Sequence, residues 1–188
     1  MIRQSTGQHE SRTEPKILYG RRVVLREMSR SDVDEIAKWP PFAEPAMSWA
    51  NLDLERRSGR DFYYHNGRSS YDRRRYVVID EEGETVGTIG LRSLDFRRGE
   101  GTLGIIIRSD MVGRGLGTDS VRTLARFGFD ELGLERIVLD VAEDNYRAIR
   151  CYETVGFRLI GRHVGPRAQV FLDMEMSRDE LRPDRSYE

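Results

Sequence analysis

The sequence has little cysteine and histidine, the residues that form disulfides and bind transition metals. Cys151 is the only cysteine among 188 residues, so neither an intramolecular disulfide nor a cysteine-based metal cluster can form. The three histidines, His9, His65 and His163, are scattered and show none of the short spacings typical of zinc ligands. We therefore expect a protein without a metal site.

The chain also lacks an excess of charge and a long apolar run. Its 31 basic and 32 acidic residues give a net charge of −1, so no global field draws it to nucleic acid or to an acidic membrane. No stretch approaches the roughly 20 apolar residues of a membrane span. The polar first 15 residues do not resemble a secretory signal. We expect a soluble, cytoplasmic protein with no nucleic-acid or membrane partner.

The length suits one domain, which we place at residues 17–180 between a polar tail at 1–16 and a short tail at 181–188. The apolar periodicity predicts the order β-α-α-β-β-β-α-β-α-β-β. Strands are expected at 21–29, 102–108, 135–142, 157–164 and 168–176, with a hairpin over 75–96 that turns at 82–83. Helices are expected at 29–39, 54–67, 118–132 and 145–156. This pattern indicates a mixed α/β (α+β) domain of about seven strands and about four helices.

Three glycines alternate in "MVGRGLGTDSVRTLARFGFDEL", residues 111–132, just before a helical pattern. Glycine lets the backbone approach a ligand closely, and a helix N-terminus favours an anion. A P-loop is excluded because no lysine lies near Gly117. A dinucleotide-binding fold would use Asp140, but Thr118 or Ser120 replaces the third glycine of its fingerprint. Two alternatives remain: a cradle of backbone N–H groups for a pyrophosphate, and a turn that uses glycine only for its geometry.

A second motif, "VAEDNYRAIRCYETVGF" at residues 141–157, favours the cradle. Together with the glycine loop it resembles the GNAT N-acetyltransferase superfamily, most closely the ribosomal-protein-alanine and spermidine acetyltransferase branches. The similarity runs from about residue 21 to 176. It implies the GNAT fold, a mixed and mostly antiparallel sheet with a central splayed parallel pair at 102–107 and 136–141. It also implies acetyl-CoA as the co-substrate, no metal, and a primary amine as the acceptor.

The resemblance also implies roles for individual residues. Backbone groups of Ile105, Ile106 and Ile107 would bind the pantetheine arm, and Asn145 would either hydrogen-bond to that arm or serve as an ordinary N-cap. Tyr152 would contact the cofactor and act as the general acid that protonates the departing thiolate. The loop residues that would wrap the pyrophosphate are Val112, Gly113, Arg114, Gly115, Leu116, Gly117 and Thr118.

Several residues near these motifs allow two interpretations. Relatives often have a glutamate where this chain has Thr102, so Glu100 is the candidate catalytic base, directly or through water, or else a turn carboxylate. Arg114 could add its charge to a phosphate or be a solvated side chain. Asp119 would repel a phosphate and should point away from the cofactor. Cys151 is expected to be a small buried residue, because in this family the amine attacks the thioester directly.

The motifs do not determine the acceptor. Trp39, Phe42 and Trp49 could form a wall over the acceptor channel or pack the first helix on the sheet, and Glu35 and Glu44 could attract a cationic amine. A protein N-terminus, a polyamine, an aminoglycoside and an amino acid all remain open, as does a homodimer. The leading hypothesis is an N-acetyltransferase that works by direct attack in a ternary complex. The alternatives are a catalytically weak CoA-binding sensor or scaffold and, more remotely, a dinucleotide-dependent oxidoreductase.

Overall fold

The computed structural model describes residues 16–43 and 69–183, apart from the side chain of residue 167. Within them, eight strands form one sheet in the order β1-β2-β3-β4-β5-β6-β8-β7. The strands are β1 (Ile17–Tyr19), β2 (Val24–Glu27), β3 (Arg74–Ile79), β4 (Thr85–Asp95), β5 (Glu100–Ile107), β6 (Arg136–Ala142), β7 (Arg158–Val164) and β8 (Val170–Ser177). All neighbouring strands are antiparallel except β5 and β6, which are parallel.

Three α-helices accompany the sheet in the described residues: α1 (Arg30–Ile36), α2 (Leu116–Asp130) and α3 (Tyr146–Val155). Ser29 begins α1, because its backbone N–H and its hydroxyl both donate to the Asp32 carboxylate, at 2.6 and 2.7 Å. Short 3₁₀ turns follow β5, β7 and β8. From β2 onward, the described elements follow one another in the order that the sequence predicts.

The core lies between the sheet and α2. Val121, Leu124 and Ala125 are completely buried on the helix face that the apolar spacing predicts. The helix begins at Leu116, two residues before the predicted start, because Gly115 takes the N-cap position with a left-handed φ of 80°. The first turn of α2 is therefore built from the end of the glycine loop itself.

The expected fold class is confirmed, with small differences in the counts. The additional strand is β1, whose single buried side chain, Leu18, pairs with Leu25 of β2. Three residues with one inward side chain are too short to show an apolar alternation, so the sequence pattern misses this strand. The helix predicted at 54–67 lies outside the described residues, as do residues 1–15 and 184–188 of the two predicted tails. Residues 181–183 are described, and the Arg182 N–H donates to the Val155 carbonyl at 2.8 Å.

Candidate active site

The parallel strands β5 and β6 separate partway along their length. They pair at Glu100–Arg136, Gly101–Ile137 and Thr102–Val138, and the pairing then stops although β5 continues to Ile107 and β6 to Ala142. Two strand edges therefore face each other across a gap. Such edges present backbone N–H and C=O groups to an extended ligand, as they would to another strand.

The gap opens into a cavity of about 1080 Å³. Its walls come from β4 and β5, the glycine loop, the start of α2, α3, and the segment that joins β7 to β8. Of the residues assigned to the cofactor from the sequence, those that line it are Ile105, Ile106, Ile107, Val112, Gly113, Gly115, Leu116, Gly117, Thr118, Asn145 and Tyr152. This volume is at the upper end of the range for small-molecule sites, which suits a long cofactor together with a second substrate.

The glycine loop has a conformation that suits an anion. Gly113 and Gly115 both have a φ of 80°, and no atom lies within 4 Å of the position that a Cβ would take on Gly113. Successive residues in such conformations turn their N–H groups to one side, and the α2 N-terminus begins directly behind them. The Arg114 carbonyl accepts a hydrogen bond from the Arg22 guanidinium. The loop is therefore braced by a residue that is 92 positions away in the sequence.

Two charged residues of this region point away from the cavity. Arg114 is absent from the cavity lining, and its guanidinium lies 3.5 Å from the Asp110 carbonyl, which favours the solvated alternative. Asp119 is buried and accepts hydrogen bonds from the backbone N–H groups of Arg22 and Val23, at 2.7 and 3.2 Å. It thereby ties the first turn of α2 to the β1–β2 turn, in the direction away from the cofactor that the sequence predicts.

Helix α3 brings Asn145 and Tyr152 to the opposite wall. The Asn145 side chain caps the helix by accepting from the Ala148 N–H at 3.2 Å. Tyr152 is only 7% exposed, and its ring packs edge-on against Phe157 with the centroids 5.7 Å apart. Burial raises the pKa of Tyr152 above its usual value, and the nearby Asp140 adds to this effect. The phenol is therefore held in its protonated, proton-donating form.

Cys151 lies beside Tyr152 but is not prepared for nucleophilic chemistry. Burial raises the pKa of its thiol, and the Thr118 hydroxyl lies 3.4 Å from the sulfur. A thiol with a raised pKa contains little of the reactive thiolate. This supports the expectation that Cys151 is a small packing residue.

Glu100 lies at the closed end of the strand pair, apart from the cavity. Its carboxylate accepts from Arg136 Nε at 3.0 Å, in the row where β5 and β6 are still hydrogen-bonded. Glu100 is not among the residues that line the cavity. Its assignment as a catalytic base stays a prediction, and this geometry favours the alternative of an ion-paired strand-end carboxylate.

The aromatic residues that were expected near the acceptor have different positions. Trp39 packs against Met28, Ile36 and Val77, and so serves to attach α1 to the sheet. Phe42 instead packs on the cavity side, against Ile106 and Val112, and lines the cavity. Trp49 and Glu44 lie outside the described residues, and the exposed Glu35 pairs with Lys38 at 3.7 Å.

The resemblance to the GNAT family assigns no role to several charged residues of the cavity lining. These are Arg73, Arg74, Arg75, Arg92, Arg147, Arg150 and Asp140. Arg92 Nη2 lies 3.6 Å from Asp140 Oδ1. The run "DRRRY" at residues 72–76 and the alternation of Gly90 with Arg92 are visible in the sequence, but only the strand register places them beside the cofactor strand.

Two kinds of feature are absent from the described part of the chain. No three of its histidine, cysteine and acidic side chains come together in a way that could hold a metal ion. None of the helices described there is long and apolar enough to cross a membrane.

The chain is similar to known acetyltransferases over most of its length. The family model of the acetyltransferase (GNAT) domain matches residues 22–158. Spermidine N(1)-acetyltransferase of Escherichia coli K12 is 27% identical over 139 residues, 74% of each chain. An uncharacterized N-acetyltransferase, p20, of Bacillus licheniformis is 25% identical over 150 residues, 77% of this chain and 83% of that protein. The structure of Vibrio cholerae spermidine N-acetyltransferase in complex with CoA and spermine matches with a TM-score of 0.65 and 24% identity, covering 85% of this chain and 97% of that one.

Proposed function

Because the chain belongs to the GNAT acetyltransferase family and is an acetyl-CoA-dependent acetyltransferase, we propose that it transfers the acetyl group directly to a primary amine bound in the same cavity. The observation that carries this proposal is the gap between β5 and β6. The two strands stop pairing after Thr102, and the gap beyond that point opens onto both the glycine loop and Tyr152. That gap can take an extended pantetheine chain, and the loop can take a pyrophosphate. Relatives named as spermidine acetyltransferases support a small amine as the acceptor.

In this proposal the residues divide the work between binding and proton transfer. Acetyl-CoA supplies an activated thioester. The edge of β5 at 105–107 aligns the cofactor arm, and the loop at 112–118 fixes its phosphates. The neutral amine nitrogen forms the new C–N bond as the C–S bond breaks, with no covalent enzyme intermediate, and the proton that the nitrogen loses passes to water, from which the Tyr152 phenolate regains its proton. The Tyr152 hydroxyl donates its proton to the departing sulfur.

Binding and transfer are tested separately. Thermal unfolding is measured with acetyl-CoA, CoA, NAD, NADP and ATP, and CoA release is then measured with a panel of primary amines. A ligand present at a hundred times its Kd stabilises the fold by about 2.7 kcal/mol. We expect this stabilisation with acetyl-CoA and CoA alone, followed by amine-dependent CoA release. Stabilisation without release by any amine would favour the CoA-binding module, and stabilisation by NAD or NADP would contradict the proposal.

A further inference from the structure

The sheet has two faces beside the cavity, and they differ in chemistry. On β4 and β5, Leu91 and Leu103 pair with each other and are buried in the core with α2. The alternate residues form the opposite face, because side chains point to opposite sides along a strand. On that face Arg75 of β3 lies across from Gly90 of β4, and Gly90 lies across from Gly104 of β5.

The two glycines make this opposite face into a trough. Among the residues that the structure describes, no atom lies within 4 Å of the position that a Cβ would take on Gly104. On Gly90 the same position is closest to the Arg74 backbone carbonyl oxygen and lies 3.3 Å from Cδ of Arg75, so no side chain fits there and the methylene stem of Arg75 packs beside the glycine. Both glycines line the cavity. Within the described residues, the trough is therefore open above β5 and is bordered by Arg75.

Positive charge is concentrated along this trough. Arg73, Arg75 and Arg92 all line the cavity. Arg75 lies across from Gly90, which is two residues from Arg92 on the same face of β4. Burial lowers the pKa of Arg75, and the charges of Arg73 and Arg92 lower it further. Asp140 is the one acidic residue of the lining in the part of the chain that the structure describes.

Asp140 has a position of its own in this arrangement. It follows Val138 by two residues on β6, as Gly104 follows Thr102 on β5, so both lie just beyond the last paired row of the splay. Its charge is one of the causes that raise the pKa of Tyr152. Asp140 and Tyr152 also line the same cavity, so a cationic amine next to Asp140 would share that cavity with the proposed general acid.

We infer that the acceptor is a primary amine that also carries an anionic group such as a carboxylate, with its amine beside Asp140 and its anion towards Arg75 and Arg92, so that it exchanges the 3.6 Å ion pair between Arg92 and Asp140 for two pairs of its own. The inference rests on the proposed function and concerns its substrate class. Only the positive charge of the arginines is required, whatever other partners they have. A polyamine would bring further positive charge next to three arginines, and like charges repel. This chain would then differ in substrate from the spermidine acetyltransferases to which it is similar.

The test is a series of acceptors that differ only in the charge at the far end. 5-Aminopentanoate, 5-aminopentanamide and 1,5-diaminopentane share the same amine and chain length. We expect kcat/KM to fall in that order, by about tenfold or more from the acid to the amide, as for loss of a charge-assisted hydrogen bond. Peptides beginning Ala-Asp-Glu and Ala-Asn-Gln, compared in the same way, show whether the anionic amine is a free acid or an acidic protein N-terminus.

Substitutions in the cavity lining then test which side chains cause the preference for an anionic acceptor. Arg92→Gln should reduce the preference for the acid, and Arg92→Glu should shift it towards the diamine. Asp140→Asn should raise KM for every acceptor. Arg98→Gln is the matched control, because Arg98 is highly exposed in the β4–β5 turn and does not line the cavity. It should leave the order and the rates unchanged.

Binding of acetyl-CoA, measured by thermal unfolding, separates this inference from the proposed function. Equal rates across the series, a preference for the diamine, or no transfer to any acid or peptide despite acetyl-CoA binding would overturn the inference and leave the cofactor assignment standing. Failure to bind acetyl-CoA would overturn both.

Discussion

Replacing Tyr152 by phenylalanine removes one oxygen atom from the candidate active site and leaves the ring. The ring is what the structure uses for packing, since it is buried and makes an edge-on contact with Phe157. We therefore expect Tyr152→Phe to fold normally, with a melting temperature within about 4 °C of the parent, which corresponds to about 1 kcal/mol in a chain of this size. Acetyl-CoA affinity should change little.

The catalytic loss should be much larger than the structural one. A positioned general acid contributes about 10²- to 10⁴-fold to a rate. The leaving group here is a thiolate, and because a thiol is a much stronger acid than an alcohol, it needs less help than an alkoxide would. We expect kcat to fall about 10²-fold, equivalent to about 2.7 kcal/mol of transition-state stabilisation.

The pH dependence makes the test sharper. Burial raises the pKa of Tyr152, so the folded enzyme keeps this proton up to and beyond the usual tyrosine value of about 10. The ratio of parent to variant kcat should therefore be constant between about pH 6.5 and 9.5. Both kcat values are measured from steady-state CoA release at saturating acetyl-CoA. Tyr146→Phe is the matched control, because Tyr146 lies on the same helix, is 76% exposed and does not line the cavity.

Two results would refute this reasoning. A Tyr152→Phe variant that is as active as the parent at every pH would show that the hydroxyl transfers no proton. A loss that disappears in the alkaline half of the range would show that the parent group titrates there, contrary to its buried setting. A comparable loss in Tyr146→Phe would show that the assay reports a general property of α3.

Three further predictions concern stability and cofactor binding. Gly115→Ala and Gly133→Ala each place a side chain at a positive φ, and each should lower the free energy of unfolding by about 1–2 kcal/mol. Only Gly115→Ala should raise the Kd of acetyl-CoA, by about tenfold, because Gly133 lies outside the cavity. Similar Kd values for the two variants would contradict this prediction. Tyr76 is completely buried and its hydroxyl has no hydrogen-bond partner in the described structure, so Tyr76→Phe should raise the melting temperature by about 2–4 °C, and a lower value would show a missed partner. Burial alone would raise the pKa of Asp32, but hydrogen bonds, chiefly from Arg26, lower it below its usual value. The stability from this ionised carboxylate is present above about pH 4 and is lost as the pH falls further. Asp32→Asn should therefore lower the melting temperature at pH 7 and make the melting temperature fall less steeply in acid. An equally steep fall in the variant would contradict the role given to the Asp32 carboxylate.

Much of the fold can be predicted from the sequence because its signals are local. The start of α1 depends on Ser29 and Asp32, three residues apart, and the start of α3 on Asn145 and Ala148. The apolar spacing of α2 predicts its buried face for the same reason. β1 is missed because a strand of three residues has no measurable period.

The site is predictable to a lesser extent. Most of the cofactor residues expected from the motifs, such as Gly113 and Tyr152, do line the cavity. Trp39 and Phe42 are three residues apart and chemically alike, yet the first packs under α1 and the second lines the cavity. Composition and spacing cannot separate them, because the choice depends on which surface each side chain meets.

By itself, the sequence determined the chemistry that short segments can encode: the order of the elements, the glycine loop before a helix, and an asparagine cap followed by a tyrosine. The tertiary structure alone decided which charges act together. Asp119 accepts a hydrogen bond from the backbone N–H of Arg22, 97 residues away. Arg75 lies in the same row as Gly104 of β5 only because of the register of β3, β4 and β5. The physical reason is that a charge acts over distances in space, whereas residues far apart in the chain meet only after the strands have paired.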